Sequence, residues 1–212
     1  MKQYLDFRNK NDFEALRIPA NIIKNGGIVV FPTETVYGIG TNGLNKEAVK
    51  KLYKIKRRPL NKPISLLVSD FKMIDIIAKN ITEVEYKIMR KYFPGPLTII
   101  LKKKDIVPSI VSGGEKTIGV RMPKDEITRK LIEYAEVPIA APSANISGNP
   151  SGTKIEKILN EFQEDVDYYI DGGKSKIGVG STIVKVEDGK IKILREGTIT
   201  KKEIEEYLLE EG

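Results

Sequence analysis

Short apolar runs alternate along the chain with longer segments of helical periodicity. The short runs have the length of buried strands and are bounded by polar residues, Gly or Pro. Two of the later runs flank Asp188-Gly189, a dipeptide that favours the positive φ angles of a two-residue hairpin turn. A hairpin requires an antiparallel pair, so we expect a mixed sheet. The predicted strands cover residues 27–31, 64–68, 97–102, 118–122, 137–141, 168–170, 182–186 and 192–195.

Three capping boxes mark predicted helix starts, each with a Thr followed three residues later by a Glu that can satisfy the free N–H groups of the first turn. The pairs are Thr82 with Glu85, Thr153 with Glu156 and Thr200 with Glu203. Helical periodicity predicts further helices over 19–24, 45–56, 71–79 and 125–134, and a last helix over 200–209 that covers the sheet. The alternation of strands and helices predicts one α/β domain over residues 1–212.

The composition excludes several kinds of chemistry. The 212 residues contain no Cys and no His, which excludes disulfides, thiolate nucleophiles, imidazole bases and zinc sites built from either residue. Lys and Arg total 36 against 29 Asp and Glu, and this net charge of +7 favours phosphate-bearing partners. The N-terminal segment has no apolar leader and no window reaches the ~18 apolar residues of a membrane span. We therefore expect a cytoplasmic protein that does not contact a membrane.

Two glycine-rich motifs are similar in spacing to nucleotide-binding loops, but the residues around them do not fit such loops. The segment 38–43 has the G-x-G-x-x-G spacing of a dinucleotide-binding turn, but residues 32–37 separate it from the preceding strand. In that fold the first Gly follows the strand directly, and Pro63 stands where an acidic ribose ligand is expected. The segment 172–175 is similar to a Walker A loop, but Tyr168 replaces its first required Gly.

Polar residues follow several predicted strands without any packing reason. They lie in segment 31–38, with two hydroxyls, a carboxylate and a phenol; in segment 56–62, with four cations; and in segment 140–148, with a hydroxyl and an amide among small residues. Segment 178–183 adds glycines that leave backbone N–H groups free to bind an anion. Each segment alone also has a structural explanation, such as cations that complement a helix dipole.

Together, these segments indicate anion binding without covalent catalysis. Arg121 and Arg195 add guanidinium groups that can bind a carboxylate or a phosphate in bidentate fashion. No nucleophile or imidazole accompanies them. The set suits a reaction whose substrates supply the attacking atom, and adenylation of an acid is of this kind because positioning and charge neutralisation are what it needs.

Six of these motifs, in order along nearly the whole chain, resemble the YrdC family, the threonylcarbamoyl-AMP synthases of tRNA modification. They are P-T-E-T-V-Y-G from Pro32, K-x-R at Lys56 and Arg58, F-P-G-P-L-T over 93–98, V-R-M-P over 120–123, S-A-N over 143–145 and G-S-T over 180–182. The resemblance implies a twisted mixed parallel and antiparallel sheet flanked by helices, with a basic concave cleft. The resemblance is to the short form of the family, which lacks the extra C-terminal domain of longer members.

The resemblance also implies a reaction. L-threonine, bicarbonate and ATP condense to L-threonylcarbamoyl-AMP and pyrophosphate, the first step towards N6-threonylcarbamoyladenosine in tRNA. Mg²⁺ is expected on the ATP phosphates and not on protein side chains. A transient hand-off of the product to a tRNA threonylcarbamoyl transferase complex is implied, and direct contact with tRNA or double-stranded RNA is left open.

By position, the resemblance assigns residues to two substrates. The implied L-threonine site consists of Thr35, Arg121, Ala141 and Ser181. The implied ATP site consists of Arg58, Lys62, Thr117, Ser143, Ser151 and Arg195. A polar tetrad, taken as catalytic, consists of Lys56, Arg58, Ser143 and Asn145. One departure is Leu67, which stands where longer members place a His near threonine.

Two other functions remain as alternatives at this stage. A double-stranded RNA or tRNA binder would use the basic surface, although the sequence carries none of the common RNA-binding signatures. A domain that handles carbamoyl-adenylate in hydrogenase maturation shares this fold, but it normally accompanies zinc-finger and acylphosphatase segments that this sequence lacks.

Overall fold

The predicted apolar runs form strands of one mixed sheet. The computed structural model describes residues 3–8, 12–162 and 165–210, and the ends of the predicted domain lie outside these ranges. The strands in the described part are β1 (Gln3–Asp6), β2 (Val29–Phe31), β3 (Gly38–Asn42), β4 (Leu66–Leu67), β5 (Leu97–Lys102), β6 (Thr117–Arg121), β7 (Ile139–Ala140), β8 (Tyr168–Asp171), β9 (Thr182–Glu187) and β10 (Lys190–Arg195).

The order of strands across the sheet is β1-β8-β2-β3-β7-β4-β6-β5-β9-β10. Parallel pairs join β1 to β8, β8 to β2, β4 to β6 and β5 to β9, and the remaining neighbours are antiparallel. The mixed sheet is therefore confirmed. The hairpin between β9 and β10 turns at Asp188 and Gly189, whose φ angles of 49° and 73° are those that the dipeptide predicts.

Seven α-helices connect the strands within the described residues. They are α1 (Arg17–Lys24), α2 (Lys46–Ile55), α3 (Phe71–Ile77), α4 (Glu83–Tyr92), α5 (Glu126–Ala135), α6 (Ile155–Phe162) and α7 (Lys201–Glu210), and a 3₁₀ turn (Phe13–Leu16) precedes α1. Asn45 and Asp125 cap α2 and α5 by accepting hydrogen bonds from first-turn N–H groups. No described helix is long and apolar enough to cross a lipid bilayer.

Two of the three predicted capping boxes are confirmed. Glu85 accepts from the N–H of Thr82 at 2.7 Å, and the hydroxyl of Thr82 accepts from the N–H of Glu85 at 3.3 Å. The same reciprocal bonds join Thr200 and Glu203. The third box is wrong, because α6 begins at Ile155 and Thr153 lies one residue too early to cap it.

The sequence reasoning missed β1 and β3. Strand β3 is the segment with the G-x-G-x-x-G spacing, and its glycines serve packing instead of phosphate binding. A Cβ on Gly38 would lie 2.7 Å from the Phe31 ring, and one on Gly40 would lie 2.6 Å from the side chain of Ile139. The antiparallel pairs of β3 with β2 and β7 hold it in the centre of the sheet.

The last helix covers one end of the sheet, as predicted. Helix α7 packs against β10 and α4, and Ile204 on its inner face is fully buried. The ring of Tyr207 packs edge-on against Tyr92, whose hydroxyl donates to the carbonyl of Glu203 at 3.1 Å. The helix therefore covers the sheet at its β10 edge.

Candidate functional site

A cavity of about 270 Å³ opens over the central strands of the sheet. Strands β7, β4, β6, β5 and β9 are neighbours in the sheet although they are distant in sequence, so their ends bring the separate motifs to one place. Eight of the residues that the resemblance assigned to substrates line this cavity. They are Thr35, Arg58, Arg121, Ala141, Ser143, Ser151, Ser181 and Arg195.

Arg121, at the end of β6, is buried and held through three of its nitrogens. Its Nη1 donates to the hydroxyl of Thr35 at 2.9 Å, and its Nε donates to the carbonyl of Gly95 at 3.2 Å. Its Nη2 lies 2.8 Å from Oε1 of Glu34 in an ion pair between side chains that are 9% and 10% exposed. This pair lacks hydrogen-bond alignment, so within the described residues Nη2 has no hydrogen-bond acceptor.

The segment 32–37, which carries Thr35 and Glu34, is a buried connection between β2 and β3. Its backbone is anchored by hydrogen bonds from the N–H of Ile177 to the carbonyl of Glu34 and from the N–H of Gly178 to the carbonyl of Thr35, at 2.9 and 2.8 Å. At its end, the phenol of Tyr37 donates to the carbonyl of Gly173 at 2.7 Å. Burial first and the nearby charge of Asp171 next raise the pKa of Tyr37. The phenol is therefore a neutral structural anchor.

Arg195 and Ser181 form the opposite wall. The guanidinium of Arg195 donates to the Ser181 carbonyl at 3.0 and 2.8 Å, and the Ser181 hydroxyl shares a 2.7 Å hydrogen bond with Thr98. Although Arg195 as a whole residue is exposed, desolvation of its guanidinium, followed by the charges of Arg121 and Arg58, lowers its pKa. Gly180 lies under this guanidinium, and a Cβ there would approach its Cζ to 3.1 Å.

Arg58 is placed by the way helix α2 ends. The N–H of Arg57 donates to Lys54 and the N–H of Arg58 donates to Tyr53, which is the Schellman pattern, with Arg57 at a φ of 50°. The guanidinium of Arg58 then donates to the carbonyls of Lys62 and Pro63 at 3.1 and 2.7 Å. Desolvation lowers the pKa of Arg58.

Lys56 does not line the cavity, although only Arg57 separates it from Arg58. Its side chain is 1% exposed, and its Nζ donates to the carbonyl of Ser143 at 2.6 Å and to the carbonyl of Asn145. Burial, followed by the charge of Arg58, lowers the pKa of Lys56 to about 7. Ser143 in turn donates to Oδ1 of Asn145 at 2.5 Å. Lys56 and Asn145 therefore hold the loop that presents Ser143 and do not line the cavity.

Two residues of the predicted ATP site lie outside the cavity lining. Lys62 is exposed after α2 and contributes its backbone carbonyl to Arg58 and to the Tyr53 hydroxyl. Thr117 opens β6, four residues before Arg121, which corresponds to about 13 Å along a strand. Their assignment to ATP stays a prediction, as does the basic character of the cleft as a whole. Leu67 lines the cavity as a buried apolar wall.

The sequence reasoning did not assign several residues that build the site. Ser65, Thr98 and Glu196 line the cavity, and Glu34 lies behind Arg121. Thr98 and Glu34 belong to quoted motifs, so their motif membership was an available signal. Glu161 on α6 accepts from the N–H of Ile146 and from the amide of Asn149, both at 2.7 Å, and nothing in the sequence indicates this contact.

The cavity presents hydrogen-bond donors that can bind anions, and it presents few ligands for a metal ion. Three arginines line it beside the carboxylate of Glu196, and six described side chains contribute hydroxyl groups: Thr35, Ser65, Thr98, Ser143, Ser151 and Ser181. Within the described residues no group of three or more acidic side chains could hold a metal ion. The arrangement can bind several negatively charged groups close together, and the sequence has no His to activate one of its serines as a nucleophile.

Comparisons with known proteins show relatives in both sequence and fold. A threonylcarbamoyl-AMP synthase of Pyrococcus abyssi is 41% identical over 204 residues, which are 96% of this chain and 60% of that protein. A putative threonylcarbamoyl-AMP synthase of Methanocaldococcus jannaschii is 48% identical, over 84% of this chain and 83% of that one. The crystal structure of P. abyssi Sua5 complexed with L-threonine superposes with a TM-score of 0.94 at 40% identity, covering 97% of this chain and 60% of that chain.

The family comparison covers most of the described residues. The model of the Sua5/YciO/YrdC family, described as telomere recombination, matches residues 21–197. This range includes all six quoted motifs and every cavity-lining residue. The chain spans about 60% of the P. abyssi relative, so the two proteins are alike in this domain. On this match, the chain belongs to the Sua5/YciO/YrdC family.

Proposed function

We propose that this chain is an L-threonylcarbamoyl-AMP synthase, which condenses L-threonine, bicarbonate and ATP to L-threonylcarbamoyl-AMP and pyrophosphate. One observation carries the proposal: Arg58, Arg121 and Arg195 line a single cavity together with the hydroxyls of Ser143 and Ser181. The reaction brings together a carboxylate, a carbonate species and a triphosphate. Fixed guanidinium groups and hydroxyls are what such a set of anions needs.

In this proposal the threonine subsite lies at Arg121. Among the described residues, the bonds of Arg121 to Gly95 and Thr35 and its ion pair with Glu34 engage three of the five guanidinium N–H groups, which leaves donors for a further anion. These donors would bind the threonine carboxylate, with Thr35, Ala141 and Ser181 around the rest of the amino acid. The named L-threonine complex of the P. abyssi relative supports threonine as the substrate class.

The ATP subsite lies towards Arg58, Ser143, Ser151 and Arg195. ATP enters as its magnesium complex, with the metal on its phosphates. Lys62 and Thr117 remain assigned to ATP as predictions that need movement of their segments or contact with a distant part of the nucleotide. Lys56 and Asn145 hold the Ser143 loop in place.

The chemistry needs no nucleophile from the protein. The threonine amine, after loss of a proton to solvent or bicarbonate, captures the carbon of the carbonate species, and the bicarbonate oxygen leaves as water. A carbamate oxygen then attacks the α-phosphorus and pyrophosphate departs. Arg58 and Arg195 stabilise the charge that builds up on the leaving phosphates, since charge-assisted hydrogen bonds strengthen as that charge grows. The reaction takes place in the cytoplasm, and the product passes to a tRNA-modifying transferase.

The test is pyrophosphate release with MgATP, omitting L-threonine or bicarbonate in turn. We expect release only when both are present, and L-serine or L-valine in place of threonine should show how selective the site is. Pyrophosphate release that continues at the same rate without threonine and without bicarbonate would contradict the proposal. Binding of tRNA that falls steeply with salt, in a protein that releases no pyrophosphate, would favour an RNA binder instead.

A further inference from the structure

Glu34 lies between two cavities. Arg121 lines the substrate cavity, whereas Glu34 lines a second cavity of about 770 Å³ on the other side of the ion pair. The two side chains therefore form the partition between the cavities. Both oxygens of Glu34 are buried without hydrogen-bond donors among the described residues, so its carboxylate interacts with Arg121 through charge.

The three arginines of the substrate cavity are held in two different ways. Arg58 and Arg195 are held by backbone carbonyls, of Lys62 and Pro63 in one case and of Ser181 in the other. Carbonyls orient a guanidinium without offsetting its charge. Within the part of the chain that the structure describes, Arg121 alone of the three has a carboxylate partner, and that partner is as buried as Arg121 itself.

Because of this difference, the net positive charge is larger at Arg58 and Arg195 than at Arg121. Arg58 and Arg195 keep a full positive charge for groups that carry several negative charges, such as phosphates. The charge of Arg121 is largely offset by Glu34 at 2.8 Å, which leaves oriented N–H donors with little net attraction for a multivalent anion. A zwitterionic amino acid presents one carboxylate and suits such a group.

We propose that Glu34 is a positioning and specificity residue of the threonine subsite: acting through Arg121, it makes the subsite accept a carboxylate and reject phosphate. This inference rests on the proposed synthase function. Glu34 does not touch the substrate. It fixes the guanidinium together with Thr35 and Gly95, and its charge keeps the phosphates of ATP or pyrophosphate from occupying the place of threonine.

The test compares Glu34→Gln, which removes the charge and keeps the shape, with Glu34→Asp, which keeps the charge on a shorter side chain. We measure the KM for threonine and for ATP, and we determine whether inorganic phosphate competes with each substrate. Glu126→Gln is the matched control, because Glu126 is an exposed carboxylate on the same second cavity that does not pair with Arg121.

In the wild type and in Glu126→Gln we expect phosphate to compete with ATP and not with threonine. In Glu34→Gln we expect the KM for threonine to rise about tenfold, the KM for ATP to stay within about twofold, and phosphate to become competitive with threonine. Glu34→Asp should raise the KM for threonine without creating this competition. A purely structural role for Glu34 would change both KM values and would not change the inhibition pattern.

An unchanged KM for threonine in Glu34→Gln, with phosphate still competing only with ATP, would overturn the inference while leaving the synthase function intact. If instead wild-type pyrophosphate release ignores threonine, the proposed function fails first. Melting curves establish that each variant is folded. Should Glu34→Gln not fold, Glu34→Asp decides, because competition between phosphate and threonine in that variant would contradict a role for the charge.

Discussion

The buried ammonium group of Lys56 gives the protein a pH-dependent stability that a Lys56→Met variant should lose. Lys56 is 1% exposed, and desolvation lowers its pKa from 10.5 to about 7. Met has a similar length and carries no charge. The variant therefore removes the titrating group and fills most of the same space, although two carbonyl oxygens, of Ser143 and Asn145, lose their donor.

The sign of the effect follows from which state holds the proton. Between the folded and unfolded pKa values the unfolded chain binds a proton at Lys56 that the folded chain has released, so the unfolding free energy rises with pH. The full shift corresponds to about 5 kcal/mol between its two limits. Between about pH 6 and about pH 9 the titration of this one group should add about 3 kcal/mol to the unfolding free energy of the wild type.

Urea unfolding of the wild type and of Lys56→Met at several pH values over this range measures the effect. Other groups titrate in both proteins, so the difference between their unfolding free energies isolates Lys56. We expect this difference to move by about 3 kcal/mol in favour of the wild type from the lowest to the highest pH. Lys50→Met, on the exposed face of the same helix, is the control and should run parallel to the wild type.

Parallel pH profiles for the wild type and Lys56→Met would refute the reasoning. They would mean that the ammonium group of Lys56 keeps its proton in the folded state through its carbonyl contacts, and that burial does not control its titration. A profile of the opposite slope would mean that the folded protein binds this proton more tightly than the unfolded chain does. Either result would contradict the lowered pKa.

Three further variants test the construction of the site. Arg57→Gly should raise the unfolding free energy by about 0.5 to 1 kcal/mol in urea without changing kinetics, because Arg57 has a φ of 50° at the helix end; a loss of stability would contradict this. Gly197→Ala should lower the unfolding free energy by about 1 to 3 kcal/mol and raise the KM for both substrates, since its Cβ would lie 2.4 Å from the backbone N of Thr182. Wild-type kinetics would show that the backbone of this segment adjusts without cost to the site. Arg58→Ala should raise the KM for ATP at least about tenfold with a melting temperature near that of the wild type, and a matching loss of stability would make Arg58 structural.

The hydrophobic pattern predicted those elements that are long or that carry a local signal such as a capping box or a turn dipeptide. The α4 capping box and the β9–β10 turn are local, so their residues determine them without help from distant parts of the chain. Strand β3 was missed because Gly38 and Gly40 have low strand propensity, and only the Phe31 ring and the β7 strand explain why glycines are needed there. Strands β4 and β7 are two residues long each, although Val68 and Ala141 just beyond them still donate to the carbonyls of Arg121 and Ser65.

The polar pattern drew attention to segments that contribute several cavity-lining residues, because hydroxyls and cations at strand ends have no packing role, and the family resemblance assigned eight of them to substrates. It could not indicate which of them face the cavity. Glu161 shows the limit, since its contact with the loop after Ser143 spans a separate helix and follows no spacing rule. Glu34 was visible as a carboxylate in a motif, but its significance depends on Arg121, which lies 87 residues later in sequence and beside it in space.

Lys56 and Arg58 show why residue type and motif alone do not assign a role. Both are cations in one K-x-R motif, yet Arg58 lines the cavity whereas Lys56 is buried behind the loop that carries Ser143. The compact ammonium of Lys56 fits between two carbonyl oxygens inside the protein, and the extended guanidinium of Arg58 reaches the cavity while it braces the loop to Pro63. Exchanging the two residue types, as Lys56→Arg with Arg58→Lys, should therefore damage the loop first and ATP use as a consequence. Retained activity in that double variant would mean that the motif acts only as positive charge.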